Sequence, residues 1–93
     1  MQADPELTAL RAEIDALDRA LVDLLAQRRA VVRRIAQHKH QHHLPALDAA
    51  REAELLAATA AYARERGVPE PLVREVLAVV LLDSRPVVMH PGA

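Results

Sequence analysis

Apolar side chains recur along the first 40 residues with the alternating three- and four-residue spacing of a heptad repeat. The repeat consists of Leu7, Leu10, Ile14, Leu17, Leu21, Leu24, Val31 and Ile35. This pattern predicts a helix over about residues 5–40, with Asp4 as its N-cap and Pro5 as its first residue. Such a helix is about 50 Å long. Because the rest of a 93-residue chain is too small to cover it, we expect a second copy to pack against it.

Two shorter helices are predicted after a connection marked by Pro45. Asp48 is placed to cap a helix over about residues 49–66, and Gly67 has the position of a glycine that ends a helix. The third helix covers about residues 71–85. It is apolar over much of its surface, so we expect it to be largely buried.

The third helix is expected to end or kink at Pro86, which leaves residues 86–93 as a tail. The chain contains one Tyr, no Phe and no Trp, so any core consists of Leu, Val, Ile and Ala. We therefore predict an all-α fold, in which one long and two shorter helices form an intertwined helical homodimer. Residues 1–93 are expected to be a single domain.

Charge, cysteine content and apolar runs limit the partners and the chemistry that we expect. A net charge of -1, from 12 Lys and Arg against 13 Asp and Glu, favours neither nucleic acid nor an anionic membrane. The lack of Cys excludes disulfides, thiolate zinc sites and cysteine nucleophiles. No secretory signal pattern and no apolar run of transmembrane length is present, so we expect a cytoplasmic protein.

Basic residues stand at unusual positions of the first helix. Arg28 takes a heptad position that belongs to an aliphatic residue, and burying an unpaired charge is costly. It either sets the register or extends to the edge of the interface, or it binds an anion. Lys39 lies about three turns later on nearly the same side, roughly 16 Å away. Arg11 is rotated by about 100° from Arg28, so in an antiparallel dimer it reaches the pocket of the partner.

The second helix begins with a polar cluster. Asp48, Arg51 and Glu52 fall within an arc of about 100°. They form either part of a site or a cap with ordinary surface ion pairs. Ser84 is either a ligand or simply a terminal hydroxyl of the third helix. The chain shows no nucleophile beside a base and no glycine-rich phosphate loop, so these polar residues favour a site for a small dianion.

These motifs resemble those of chorismate mutases of the all-helical AroQ class. The resemblance covers about residues 7–85. It rests on Leu10-Arg11, Ile14–Asp18, Leu24–Arg29, Lys39, Pro45, Asp48–Glu52 and Asp83-Ser84, in that order.

The resemblance implies an isomerase that rearranges chorismate to prephenate in Phe and Tyr biosynthesis, with no cofactor and no metal. The reaction is a unimolecular Claisen rearrangement, helped by holding the reactive conformer and by stabilising charge on the ether oxygen. It also suggests a synthase of the aromatic pathway as a protein partner.

The resemblance further assigns roles to individual residues. Arg28 and Arg11 of the partner subunit would bind substrate carboxylates, and Lys39 would donate to the ether oxygen. Glu52 would engage the region of the ring hydroxyl and completes the catalytic set with Arg28 and Lys39. The other implied substrate-binding residues are Asp48, beside the ring hydroxyl, Arg51, which positions substrate, and Ser84, which binds a carboxylate.

Val88 departs from this resemblance. Similar enzymes carry Gln or Glu four residues after the serine, as a second donor to the ether oxygen, and valine cannot donate. Losing such a donor costs about 10²–10³ in rate. The activity is then weak, or a neighbour such as Arg85 or His90 substitutes, or the substrate differs.

Three functions are therefore compatible with the sequence. The first is chorismate mutase. The second is a sister enzyme on the same scaffold, an isochorismate pyruvate-lyase or an aminodeoxychorismate mutase. The third is a helical dimer that needs a partner protein and has little activity of its own. The spacing of His38 and His42, in the histidine run that ends at His43, also permits a metal site, although a solvated helix end explains this run more simply.

Overall fold

The computed structural model describes residues 4–90, and within this range all regular structure is helical. The helices are α1 (Pro5–Gln41), α2 (Ala49–Glu65) and α3 (Glu70–Met89). The all-α prediction of one long and two shorter helices is confirmed. The boundary between two compact units of the chain falls after Val31, within α1.

Aspartate side chains begin the first two helices, as the sequence predicts. Asp4 Oδ1 accepts hydrogen bonds from the amides of Glu6 at 2.9 Å and Leu7 at 3.2 Å. Asp48 Oδ1 accepts from the amide of Arg51 at 2.9 Å. Each cap satisfies amides that have no partner inside the helix, which fixes where the helix starts.

The same two helices end with a residue in the left-handed region. Gly67 has φ 70° after α2, and His43 has φ 53° after α1. The amide of Leu44 donates to the carbonyl oxygen of Lys39 at 2.8 Å, the six-residue hydrogen bond typical of a Schellman motif. A histidine therefore takes a position that usually belongs to glycine, and the chain turns sharply just beyond Lys39.

The predicted end of the third helix is wrong. α3 continues through Pro86 to Met89, four residues beyond residue 85. The fixed φ of proline is compatible with a helix, and its missing N–H removes only one hydrogen bond. Val87 and Val88 are half-buried, so their packing helps to offset that loss. The predicted tail thus begins later, and residues 91–93 of it lie outside the described residues.

Few residues of the described range are buried. α2 packs against α3, and the buried residues among 4–90 are Ala36, Ala60, Ala63, Leu81 and Ser84. The expectation that the third helix is largely buried is wrong for the single chain, because Val79 is 66% and Leu82 62% exposed. Within residues 4–90, no helix is long and apolar enough to span a membrane.

Candidate active site

Two of the predicted site residues lie in the first compact unit. Arg11 is exposed and Arg28 is half-buried on α1. The apolar heptad side chains of this segment are between 44% and 61% exposed: Leu7, Leu10, Ile14, Leu17, Leu21 and Leu24. A guanidinium therefore stands within an apolar surface that the chain itself leaves open.

Lys39 lies in the second unit, near the end of α1, and is half-buried. Its Nζ donates a hydrogen bond of 3.1 Å to the carbonyl oxygen of Ala46, seven residues further along. The left-handed turn at His43 reverses the chain between these two residues. An ammonium group has three N–H donors, so this contact holds the cation while leaving it the capacity to bind a ligand.

At the start of α2, Asp48 and Arg51 are engaged in local contacts. One carboxylate oxygen of Asp48 caps the helix through the Arg51 amide. The Arg51 guanidinium pairs with Glu54 at 2.7 Å, and both side chains are mostly exposed. These contacts are those of a helix cap and a surface ion pair. Asp48 retains its second carboxylate oxygen as an acceptor.

Glu52 forms a polar contact between α2 and α3 through both of its carboxylate oxygens. Arg85 donates from Nε to Oε2 at 3.1 Å and from Nη2 to Oε1 at 2.8 Å, and both residues are half-buried. These hydrogen bonds, assisted by the charge of Arg85, lower the pKa of Glu52, while partial burial and the nearby Asp48 oppose the shift. The same pair raises the pKa of Arg85. Glu52 is therefore an anion at neutral pH.

The Arg85–Glu52 pair is the feature that sequence reasoning missed. The sequence suggests Arg85 only as a substitute donor near Val88, and the two paired residues are 33 positions apart. The available signal was a cation directly after Ser84 on the third helix, where Asp83 is the neighbouring charge.

Ser84 and Val88 lie one turn apart on α3. Ser84 is buried, and its Oγ donates to the carbonyl oxygen of Val80 at 2.9 Å. Because α3 stays helical through Pro86, Val88 keeps the position four residues after Ser84 on the same face. Its half-buried side chain offers a ligand no hydrogen-bond donor.

The histidine run is exposed at the end of α1 and in the turn that follows it. The rings of His38 and His42 lie 4.3 Å apart between centroids, tilted by 39°. No group of three or more His, Cys, Asp or Glu side chains among residues 4–90 could hold a metal ion. Both histidines are exposed, as expected for a solvated helix end.

The second unit therefore combines an ammonium group, two carboxylates, a guanidinium and a buried hydroxyl on three helices. The cations and the hydroxyl can bind anionic groups of a small ligand, and the carboxylates can accept hydrogen bonds from its hydroxyl groups. Each has its position fixed by a hydrogen bond to the backbone or to another helix.

Curated bacterial proteins are similar to most of this chain. A T-protein of Enterobacter agglomerans is 43% identical over 79 residues, which are 85% of this chain and 21% of that protein. The bifunctional chorismate mutase/prephenate dehydratase of the same species is 33% identical over 84 residues, 90% of this chain and 22% of that protein. The chain thus spans about a fifth of the length of these relatives.

A shorter relative is matched over most of its own length. The 4-amino-4-deoxychorismate mutase of Streptomyces venezuelae is 32% identical over 83 residues, which are 89% of this chain and 81% of that protein. The family model for chorismate mutase type II matches residues 10–87, which contain all the site residues predicted from the sequence apart from Val88. The chain therefore belongs to the chorismate mutase type II family.

Proposed function

We propose that this protein is a chorismate mutase that rearranges chorismate to prephenate and needs no cofactor. One observation carries the proposal: each helix supplies a polar side chain that is at least half-buried within the second unit, namely Lys39, Glu52 and Ser84. The Claisen rearrangement is unimolecular, so it needs no nucleophile and no general base. Restraint of the substrate and stabilisation of developing negative charge are sufficient.

Each of these three side chains has a distinct task in this proposal. Lys39 stabilises negative charge on the ether oxygen through the N–H groups that Ala46 does not use. Glu52 accepts a hydrogen bond from the ring hydroxyl, with Asp48 beside it. Ser84 binds a substrate carboxylate, which requires its hydroxyl to rotate away from the carbonyl oxygen of Val80.

Three arginines complete the proposed site. Arg28 and the partner subunit's Arg11 bind substrate carboxylates, because the guanidinium fork matches two carboxylate oxygens. Arg51 positions the substrate after exchanging its exposed contact with Glu54, an ion pair of the kind that contributes little to stability. Residues 1–93 act in this arrangement as one chorismate mutase-like domain.

A homodimer follows from the uncovered surface of α1. Its apolar residues repeat as a heptad, a pattern that buries itself against an identical helix. Each leucine removed from water contributes up to about 2 kcal/mol, and six apolar side chains of residues 7–24 are 44–61% exposed in the single chain. A second copy of the chain is therefore the occupant that we propose for this face.

Two relatives inform the place of this activity in metabolism. The bifunctional Enterobacter agglomerans relative joins a chorismate mutase to a prephenate dehydratase, which supports a role beside another enzyme of aromatic biosynthesis. The Streptomyces venezuelae relative is named 4-amino-4-deoxychorismate mutase, so the amino analogue of chorismate is the second candidate substrate.

Product identification tests the proposal. The purified protein is incubated separately with chorismate, isochorismate and 4-amino-4-deoxychorismate, and the products are separated by chromatography. Prephenate from chorismate, abolished by Arg28→Ala, is the expected result. Pyruvate release from isochorismate would instead indicate a lyase, and no turnover of any substrate would overturn both enzyme functions.

A further inference from the structure

The Arg85–Glu52 pair places a positive charge against the carboxylate that the proposed function assigns to the ring hydroxyl. We propose that Arg85 is a specificity-determining residue, which makes the site prefer a hydroxyl over an amino group at that ring position. This inference rests on the proposed function, because it requires Glu52 to face the ring substituent.

The geometry of the pair leaves Glu52 able to accept a hydrogen bond from a ligand. Arg85 engages both carboxylate oxygens, at 3.1 and 2.8 Å. Each oxygen of an ionised carboxylate has about two acceptor sites, so one on each oxygen remains. The Glu52 side chain is 26% and the Arg85 side chain 40% exposed, so both can be reached by a ligand.

The local balance of charge gives the direction of the preference. The cluster contains two carboxylates, Asp48 and Glu52, and one guanidinium, Arg85, so it carries one net negative charge. Without Arg85 it would carry two. Arg51 does not affect this comparison, because its guanidinium is present with and without Arg85. The lowered pKa of Glu52 agrees with a pair that stays ionised at neutral pH.

The two candidate substrates respond differently to that charge. The ring substituent of chorismate is an uncharged hydroxyl. In 4-amino-4-deoxychorismate it is an aliphatic amine, largely protonated at neutral pH. Two uncompensated carboxylates would attract an ammonium group strongly, whereas the guanidinium offsets half of that attraction. A neutral hydroxyl gains or loses little from the same charge, so Arg85 acts mainly against the amine.

A purely structural role for Arg85 predicts a different result. The ion pair also joins α2 to α3, so its loss could loosen the fold. Loosening would lower turnover of both substrates by the same factor. The ratio of the two kcat/KM values, measured on one protein preparation, is insensitive to the fraction of folded enzyme and therefore separates the two roles.

The experiment compares kcat/KM for chorismate and 4-amino-4-deoxychorismate near pH 7.5 in the native dimer and in Arg85→Met. We expect the ratio to move roughly tenfold or more towards the amino substrate in Arg85→Met. Arg85→Lys retains the charge and should move it less. The matched control is Arg74→Met, which removes another α3 arginine that donates from Nε and Nη2 to a glutamate, Glu70, and should leave the ratio unchanged.

A second variant tests the same charge balance with the opposite sign. Glu52→Gln removes one negative charge while Arg85 stays, so the ratio of kcat/KM values should move towards chorismate. This variant can be measured even if Arg85→Met folds poorly. An unchanged ratio in Arg85→Met, or in Glu52→Gln where Arg85→Met does not fold, with normal chorismate turnover by the native protein, would overturn the inference and leave the proposed function intact. Failure of the native protein to convert chorismate would overturn the proposed function itself.

Discussion

The ammonium group of Lys39 is held 3.1 Å from the carbonyl oxygen of Ala46, across the connection that joins α1 to α2. The left-handed turn at His43 makes this contact possible, because it reverses the chain directly after the helix. The position of the cation therefore depends on the backbone of the connection, and its charge is not compensated by that neutral carbonyl. Such a group can stabilise negative charge that appears only in the transition state.

Replacing Lys39 should accordingly reduce kcat more than it raises KM. Lys39→Met removes the proposed donor to the ether oxygen, and we expect a loss of roughly 100- to 1000-fold in kcat. Initial rates of prephenate formation over a range of chorismate concentrations separate kcat from KM. Arg33→Met, at an exposed cation of the same helix, is the matched control. A loss confined to KM would show that Lys39 binds substrate without stabilising the transition state.

Much of the fold could be predicted because its signals are local. The heptad spacing of α1 and the capping residues Asp4 and Asp48 depend only on neighbours within a few positions, and both caps are confirmed. The end of α3 could not be predicted in this way. Pro86 is a helix breaker by local preference, but the packing of the half-buried Val87 and Val88 is a tertiary effect that the sequence does not display.

The sequence predicts candidate site residues but not the contacts that they make. Arg28, at a heptad position that belongs to an aliphatic residue, together with Lys39 on nearly the same side of the helix, predicts an anion site. The pairing of Glu52 with Arg85 depends on how α2 and α3 pack, and 33 residues separate the two partners. No periodicity connects them.

Val88 provides a test of the incomplete resemblance. Because α3 remains helical to Met89, a donor at position 88 would lie one turn after Ser84. Val88→Gln should therefore raise kcat for chorismate by roughly tenfold or more, since it adds a second donor to the ether oxygen. The same substitution at the adjacent Val87, which points about 100° away, should not. An unchanged or lower rate in Val88→Gln would mean that another group already supplies this donor.

The lowered pKa of Glu52 predicts how stability depends on pH. The folded pKa lies below the ordinary value of 4.5, so the unfolded chain binds more protons in the interval between them. The stability from the Arg85 pair is complete above that interval and is lost as the pH falls through the lowered pKa. Urea unfolding between pH 3 and 7 measures the free energy of unfolding of the native protein and of Glu52→Gln. The two values should differ by a constant amount above about pH 5 and converge in acid.

A second comparison isolates the cause of that effect. Glu70, which is paired with Arg64 and Arg74, also has a lowered pKa, so acid destabilises the native protein for more than one reason. In an Arg85→Met background, Glu52→Gln should no longer remove a loss of stability in acid, because the influences that remain, burial and Asp48, raise the pKa of Glu52. If Glu52→Gln changed the pH dependence of stability as much in Arg85→Met as in the native protein, Arg85 would not be the cause of that dependence.

Mixing inactive variants tests whether each active site draws residues from two chains. Arg11→Ala and Arg28→Ala should each be inactive, because both remove a carboxylate ligand from every site. After joint unfolding and refolding, a dimer that contains one chain of each type has one site with both arginines intact, provided that Arg11 reaches the site of the partner. Random pairing makes half of the dimers mixed, so we expect roughly a quarter of native activity.

The matched control uses two defects that the proposed site takes from the same chain. In a mixed dimer of Arg28→Ala with Lys39→Met, one site carries the first substitution and the other site carries the second. No intact site forms, so activity should stay near that of the single variants. Recovery in the first mixture but not in the second requires Arg11 to act across the subunit boundary. Equal recovery of activity in both mixtures, or in neither, contradicts the shared site. Sedimentation of a folded monomer at micromolar concentration would contradict the dimer itself.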